Sequence, residues 1–197
     1  FFCLNRAEYY CFTGAWGKIR FQTAEGGIFM AMVVVLPGTE SDAAAGRIAA
    51  LMRERTGVSL FTRGECAASP GAELIVAASH PGQRIELGEG CILVCLEPCG
   101  QTVLARRAHL LIAEGLPVPP GILTAQVISM GRGSKNTVTV SSVQGERAMI
   151  SLQRTVAALD GESVEPCEMA LDLPDEASLP EALAAAAALL LCGAAPQ

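Results

Sequence analysis

The chain has 197 residues, a formal net charge of −6, and 51% hydrophobic against 17% charged residues. This balance excludes an intrinsically disordered chain, and 20 Gly with 11 Pro in no fixed period exclude a collagen-like one. The acid excess argues against nucleic acid or an anionic membrane surface as the main partner, and the length suits one domain with its own core.

Residues 1–29 differ in composition from the rest. Phe1, Phe2, Tyr9, Tyr10, Phe12, Trp16, Phe21 and Phe29 all fall there, and the remaining aromatic is Phe61. Lys18 is also there, and Lys135 is the only other lysine. Met30 and Met32 directly precede an apolar run, so the sequence suggests a start at one of them, with residues 1–29 an over-read or a remnant. A genuine extension that docks its aromatics on the core is the alternative. The segment lacks the continuous apolar stretch of a secretory signal. The apolar run Ala182–Cys192 is too short to span a bilayer. The expectation is a cytoplasmic protein with no membrane contact, its single domain covering residues 30–197.

In chain order, Val33–Leu36 predicts a strand buried on both faces. Thr39-Glu-Ser-Asp42 has the spacing of a capping box and opens a helix over 40–56, with Ile48, Leu51 and Met52 inward and Gly57 as its stop. Val58–Phe61, Leu74–Ala78 and Cys91–Leu96 read as further apolar strands. Strand, helix, strand with short connections is a βαβ unit, hence a parallel sheet. Gln101–Glu114 is read as another helix, and Gly115 with Pro117, Pro119 and Pro120 as an internal hinge over 115–121. Beyond it, Gln126–Met130, Thr137–Val143 and Ala148–Arg154 read as strands, the last two joined at Gln144-Gly145 as an antiparallel hairpin. The final helix spans Leu179–Cys192, with Ser178 and Glu181 as a capping box and Gly193 at its end. Together these elements predict a three-layer α/β sandwich: a parallel N-terminal βαβ part and an antiparallel hairpin in the C-terminal part.

Among candidate sites, the loop Gly131-Arg-Gly-Ser-Lys-Asn-Thr137 stands out. Two glycines let backbone N–H groups converge on an anion, Arg132 and Lys135 add charge, and Ser134 and Thr137 add hydroxyl donors. The plainer reading is a basic hairpin turn in which glycine supplies positive φ. Pro37-Gly38-Thr39 before the first helix is a second phosphate locus, opposed by Glu40 and Asp42, which read better as helix caps. His80 precedes a Pro-Gly turn at a strand's C-terminal end, where ligands approach α/β sheets. His109 reads as a solvated residue of the 101–114 helix. Cys91, Cys95 and Cys99 match no specific metal spacing, and buried packing is the simpler account of them. The acidic run Glu162, Glu165, Glu168, Asp172, Asp175, Glu176 reads as a solvated face.

Residues 127–193 carry a resemblance. Val-Ile-Ser-Met-Gly131 is followed by a polar strand pair, and Leu173-Pro174 leads into the alanine-rich run Ala182–Gly193. This resembles the closing part of the central domain of Mur ligases, the ATP-dependent peptidoglycan precursor enzymes. Where that family carries Gly-Thr-x-Gly-Lys-Thr, this chain has only Gly38-Thr39. The resemblance implies a similar fold and a nucleotide-like or cell-wall-precursor ligand. The reading that follows is a binding or accessory module, in the form of a degenerate Mur-ligase-like domain, that takes a small anionic ligand at Gly131, Arg132, Gly133, Ser134, Lys135 and Thr137, with no cofactor and a homodimer permitted but not required. The alternatives are a small enzyme on a phosphorylated or nucleotide substrate, with His80 as acid–base, and a cysteine-based metal or redox protein.

Overall fold

Short apolar runs bounded by turn residues suit strands buried on both faces of a sheet, and such runs form the centre of this structure. The computed structural model describes Tyr9–Tyr10, Arg20–Phe21 and residues 31–83, 85–87, 90–174 and 177–193. The strands are β1 (Tyr9–Tyr10), β2 (Arg20–Phe21), β3 (Ala31–Val35), β4 (Val58–Phe61), β5 (Cys66–Ala67), β6 (Leu74–Ala78), β7 (Ile85–Leu87) and β8 (Cys91–Cys95). They continue as β9 (Val103–Ala113), β10 (Ile122–Gly131), β11 (Val138–Gln144), β12 (Arg147–Leu152), β13 (Val156–Ala157), β14 (Ser163–Val164) and β15 (Cys167–Asp172). The helices are α1 (Ser41–Arg53) and α2 (Leu179–Leu191). β1 and β2 pair with each other, β13 and β14 form a second small hairpin, and the remaining described strands form one mixed sheet. Otherwise residues 1–30 lie outside the described residues.

The sheet order is β15-β12-β11-β10-β9-β8-β3-β6-β4-β5, with β7 beside β9. From β10 to β4 every neighbouring pair is parallel, so these six strands end at one edge. The expected hairpin is present as β11 and β12, and β15 extends it antiparallel. No described helix is long and apolar enough to cross a membrane.

Alternate residues of the central strands feed two cores. Val33, Val35, Val76, Ile92, Val94 and Leu111 pack on the side that holds Ile48, Leu51, Met52 and the buried face of α2. Met32, Val34, Ile75, Cys91, Leu93 and Leu110 form the other, which contains no helical residue. Both helices thus lie on one face, and among the described residues one helical layer stands where two were expected. The second core is closed instead by Ile85 and Leu87 of β7 and by Val103 and Ala105 of β9.

That closure corrects the helix expected over Gln101–Glu114, which is the strand β9. Val103 and Ala105 point inward while Leu104 and Arg106 are exposed, and Ala108–Ile112 are buried consecutively between the flanking strands β8 and β10. The strand bends at Arg107, the one described non-glycine residue with positive φ (57°), and changes partner there: β7 flanks Val103–Ala105, and β8 flanks His109–Ile112. A straight strand of eleven residues would span about 33 Å. The segment 115–121 must return the chain along it. Leu116 N–H still bonds Ala113 O (3.2 Å), and Pro120 O already accepts Val103 N–H (3.2 Å), so the return is made by the four steps between them, about 14 Å when extended. Even with both hydrogen-bonded ends added, roughly 25 Å is available, and β9 must arc.

Gly121 completes the return at φ 84°, where an added Cβ would lie 2.9 Å from Val103 O. Gly115 has nearly the same φ, 83°, in open space. We expect Gly115→Ala to cost about 1 kcal/mol, from backbone strain alone, and Gly121→Ala about 3 kcal/mol, from strain plus collision, as read by urea denaturation.

The helices are joined through one buried carboxylate. Glu181, 3% exposed, takes the expected place in the α2 capping box, accepting Ser178 N–H at 2.8 Å. It also accepts Arg47 Nε at 2.9 Å and Arg47 Nη2 at 2.7 Å. The exposed Glu40 touches the same Arg47 Nη2 at 3.2 Å. Glu181→Ala leaves a half-buried guanidinium with only the exposed Glu40 as partner and removes the cap bond, and should cost about 3 kcal/mol, whereas Glu40→Ala should cost less than about 1 kcal/mol, by the same measurement.

Candidate functional site

In a parallel sheet the ligand-approach side is the edge where strands end, above all where successive connections diverge. Here β3 connects through α1 toward β4 on one side, while β8 connects to β9 on the other. The crevice between β3 and β8 is therefore the topological switch point, and Pro37-Gly38-Thr39 lines it.

Glu97, following β8, lies in that crevice. Its Oε2 accepts the Thr39 backbone N–H (3.0 Å) and the Thr39 hydroxyl (2.9 Å). A Cβ on Gly38 would come within 2.9 Å of the same carboxylate, which would have to shift to admit it. These bonds, first from the Thr39 backbone and then from its hydroxyl, hold the Glu97 carboxyl below the usual carboxylate range. The anion expected at the start of α1 is thus supplied by the protein. The capping box predicted for Thr39 and Asp42 does not form: the N-cap is Glu40, without a side-chain cap bond, because Thr39 is bonded to Glu97 across 58 residues.

The loop Gly131–Thr137 repeats this arrangement after β10. Gly133 N–H faces Glu114 Oε2 at 3.4 Å, and a Cβ on Gly131 or Gly133 would collide with Glu114, at 2.6 Å from its Cβ and 2.7 Å from its Oε1 respectively. The base of the loop is fixed by Asn136, whose N–H and Nδ2 both donate to Gly133 O, and by Thr137 N–H donating to Ser129 O and Oγ. Arg154 Nη2 donates to Lys135 O at 3.0 Å. Of the residues singled out in the sequence, Arg132, Ser134 and Lys135 are exposed on this turn, Gly131 and Gly133 shape its inner side, and Thr137 is buried beneath it. Glu114 and Arg154 were missed; each comes from another strand's end, so only the strand order brings it to the loop.

His80 ends β6 with its ring 9% exposed and Nε2 3.3 Å from Asp42 Oδ1, which also accepts Arg63 N–H at 3.0 Å. Asp42 is therefore a partner of His80 rather than a cap. Burial lowers the His80 pKa, Asp42 opposes this, and Arg63 adds to it; the net direction is down. Between β6 and β10 lie three strands, so His80 and the Gly131–Thr137 loop are separated by about 19 Å at strand spacing and form no common centre.

His109 is corrected from a solvated helical residue to a buried one on β9. Its Nε2–H donates to Ala157 O (2.9 Å), its Nδ1 has no partner, and burial lowers its pKa against the smaller opposing effect of that bond. Cys91, Cys95 and Cys99 pack in the second core, and burial pushes the Cys91 and Cys95 thiols up to about 11. Such thiols are protonated and unreactive at neutral pH. Of the acidic run, Glu165 accepts the Thr155 hydroxyl and Asp172 lies 3.8 Å from Arg147, while Asp175 and Glu176 lie outside the described residues. No protein-family model matches the chain. No curated protein matches its sequence.

Both histidines bind protons less readily folded than unfolded. Below about pH 6.5 the unfolded chain therefore takes up more protons, and folding stability falls as pH drops from 6.5 toward 5. His109→Gln, which keeps an N–H for Ala157 O, should reduce that slope in denaturant melts; an unchanged slope would locate the effect elsewhere.

Proposed function

We propose that the chain is a cytoplasmic α/β binding or accessory module whose ligand is a small anion, such as a nucleotide or another phosphate-bearing molecule, met by Gly131, Arg132, Gly133, Ser134, Lys135 and Thr137. One observation carries this reading. The exposed cations Arg132 and Lys135, joined by Arg154 through Lys135 O, gather at a loop in which the Gly133 N–H already faces a carboxylate, Glu114. The loop is thus built for an anionic oxygen, and its cations face outward beyond it. That Glu97 similarly fills the α1 terminus favours binding over phosphoryl chemistry, since the position nearest the switch point is taken. The resemblance of residues 127–193 to the Mur ligase central domain points to the same ligand class, and Cys66, Cys95, Cys99, Cys167 and Cys192, which form no disulfide, suit a reducing compartment.

A second reading, a small enzyme on a phosphorylated substrate, draws on the His80–Asp42 pair, but that pair lies about 19 Å along the edge from Lys135.

The test is a thermal-shift series on the full chain with phosphate, nucleotides and UDP-sugars. A ligand at about 100 times its Kd adds about 2.7 kcal/mol, a rise of several degrees in a domain of this size. The shift should vanish in Lys135→Ala and grow in Glu114→Gln, where the competing carboxylate loses its charge. A folded protein that shifts with none of them, or whose shift ignores Lys135→Ala, would overturn the reading.

A further inference from the structure

The strand β10 is flanked by β9 along its length, but on its other side β11 reaches only Met130 and Gly131. Thr137 N–H takes Ser129 O, which leaves the outer edge of residues 122–128 with no strand paired to its backbone among the described residues; the hairpin of β13 and β14 meets it only at a side chain, Ala157 N–H donating to Gln126 Oε1 at 3.0 Å. A bare edge of seven residues, about 23 Å long, is a template for another strand. Proteins ordinarily protect such edges with lysine, proline or inward charge. None occurs in Ile122-Leu-Thr-Ala-Gln-Val-Ile128. Leu123 is instead 68% exposed and Val127 44%, with Leu104 of β9 44% exposed nearby. The single protective feature is the irregularity at Ala125, which has no partner on β9.

We propose that this edge is a homodimer interface in which β10 pairs antiparallel with β10 of a second copy about a two-fold axis at Ala125. The choice of occupant comes from the strand's own order. A two-fold contact requires a self-complementary surface. Read outward from Ala125, the strand offers Thr124 and Gln126, then Leu123 and Val127, then Ile122 and Ile128, so it presents nearly the same side chains in both directions. Pairing about Ala125 sets Leu123 opposite Val127 of the second copy twice over, covering the two most exposed apolar residues of the edge, and puts the smallest side chain where the strands cross the axis. The strand is uncharged in a chain of net charge −6, so the copies meet where their repulsion is least. Seven paired residues bury less than the 1,200–2,000 Å² typical of a stable complex, about the extent of a weak, reversible dimer.

Sedimentation of the full chain from about 1 to about 300 μM checks this, with the weight-average mass expected to rise toward twice the monomer value. Leu123→Lys with Val127→Lys should hold the mass at the monomer value throughout, since the pairing would oppose like charges. Leu123→Asp with Val127→Lys sets opposite charges across the axis and should restore the dimer. Both positions are exposed, and unchanged circular dichroism verifies folding. A wild type that stays monomeric, or a double-lysine variant that still dimerises, would overturn the proposal. Failure of the Asp/Lys variant to recover while the double-lysine variant is monomeric would overturn the pairing about Ala125.

Discussion

The length of one connection governs much of this fold. Two long parallel strands, β9 and β10, are joined by so few residues that neither can be straight. Parallel strands usually need a crossover of a dozen residues or more, most often a helix. Here three prolines and two left-handed glycines make the return, and the strands bend to meet it at Arg107 and Ala125. The bend has two further effects. It turns the first halves of β9 and β10 over the second core, which has no helix to cover it. It also carries β10 past β11, so that most of its outer edge is left unpaired.

The edge where the parallel strands end is controlled by carboxylates. Helix and loop termini concentrate unbonded N–H groups, and a nearby anion lowers the free energy of that arrangement. An enzyme of phosphoryl transfer leaves that place for its substrate. This chain fills it from within, with Glu97 after β8 and Glu114 after β9, and the glycines at 38, 131 and 133 keep the carboxylates within contact of the backbone. An internal carboxylate competes with an external anion for the same donors. Arg132 and Lys135 of the Gly131–Thr137 loop are both exposed.

Local rules made a good part of the structure legible. The strands β3, β6 and β8 follow from unbroken apolar runs, β4 from a largely apolar one interrupted at Ser59, and α2 from Ser178, Pro180 and Glu181 at its start. The β11–β12 hairpin follows from alternation around Gly145. The failures share one cause: the deciding partner is distant in sequence. Thr39 and Asp42 have capping-box spacing, but Glu97 and Arg63 engage them first. Residues 101–114 contain no proline or glycine after Gly100 to separate strand from helix until Glu114, so only the sheet neighbours β7, β8 and β10 settle them as β9. Of the candidate site, the exposed face of the Gly131–Thr137 loop was legible and its filled interior was not, because Glu114 enters from the neighbouring strand.

A buried ion pair connects these regions to the helices. Glu181 is almost fully enclosed, yet it is bonded on one side by the α2 cap and on the other by Arg47 of α1. Burying a carboxylate costs several kcal/mol unless its oxygens are fully bonded. Here both oxygens are engaged, and the cost serves orientation: an aliphatic pair at this position would let α2, whose inward face is alanine and leucine throughout, slide along α1 with little penalty. With its geometry fixed by charge, α2 lies in one register over β9–β12, and the hairpin of β13 and β14 is held beside it by Leu159 N–H on Leu191 O. That hairpin in turn covers His109 through Ala157 O. The same sheet face thus runs from the Glu181–Arg47 pair that fixes the two helices to a buried imidazole whose pKa burial lowers.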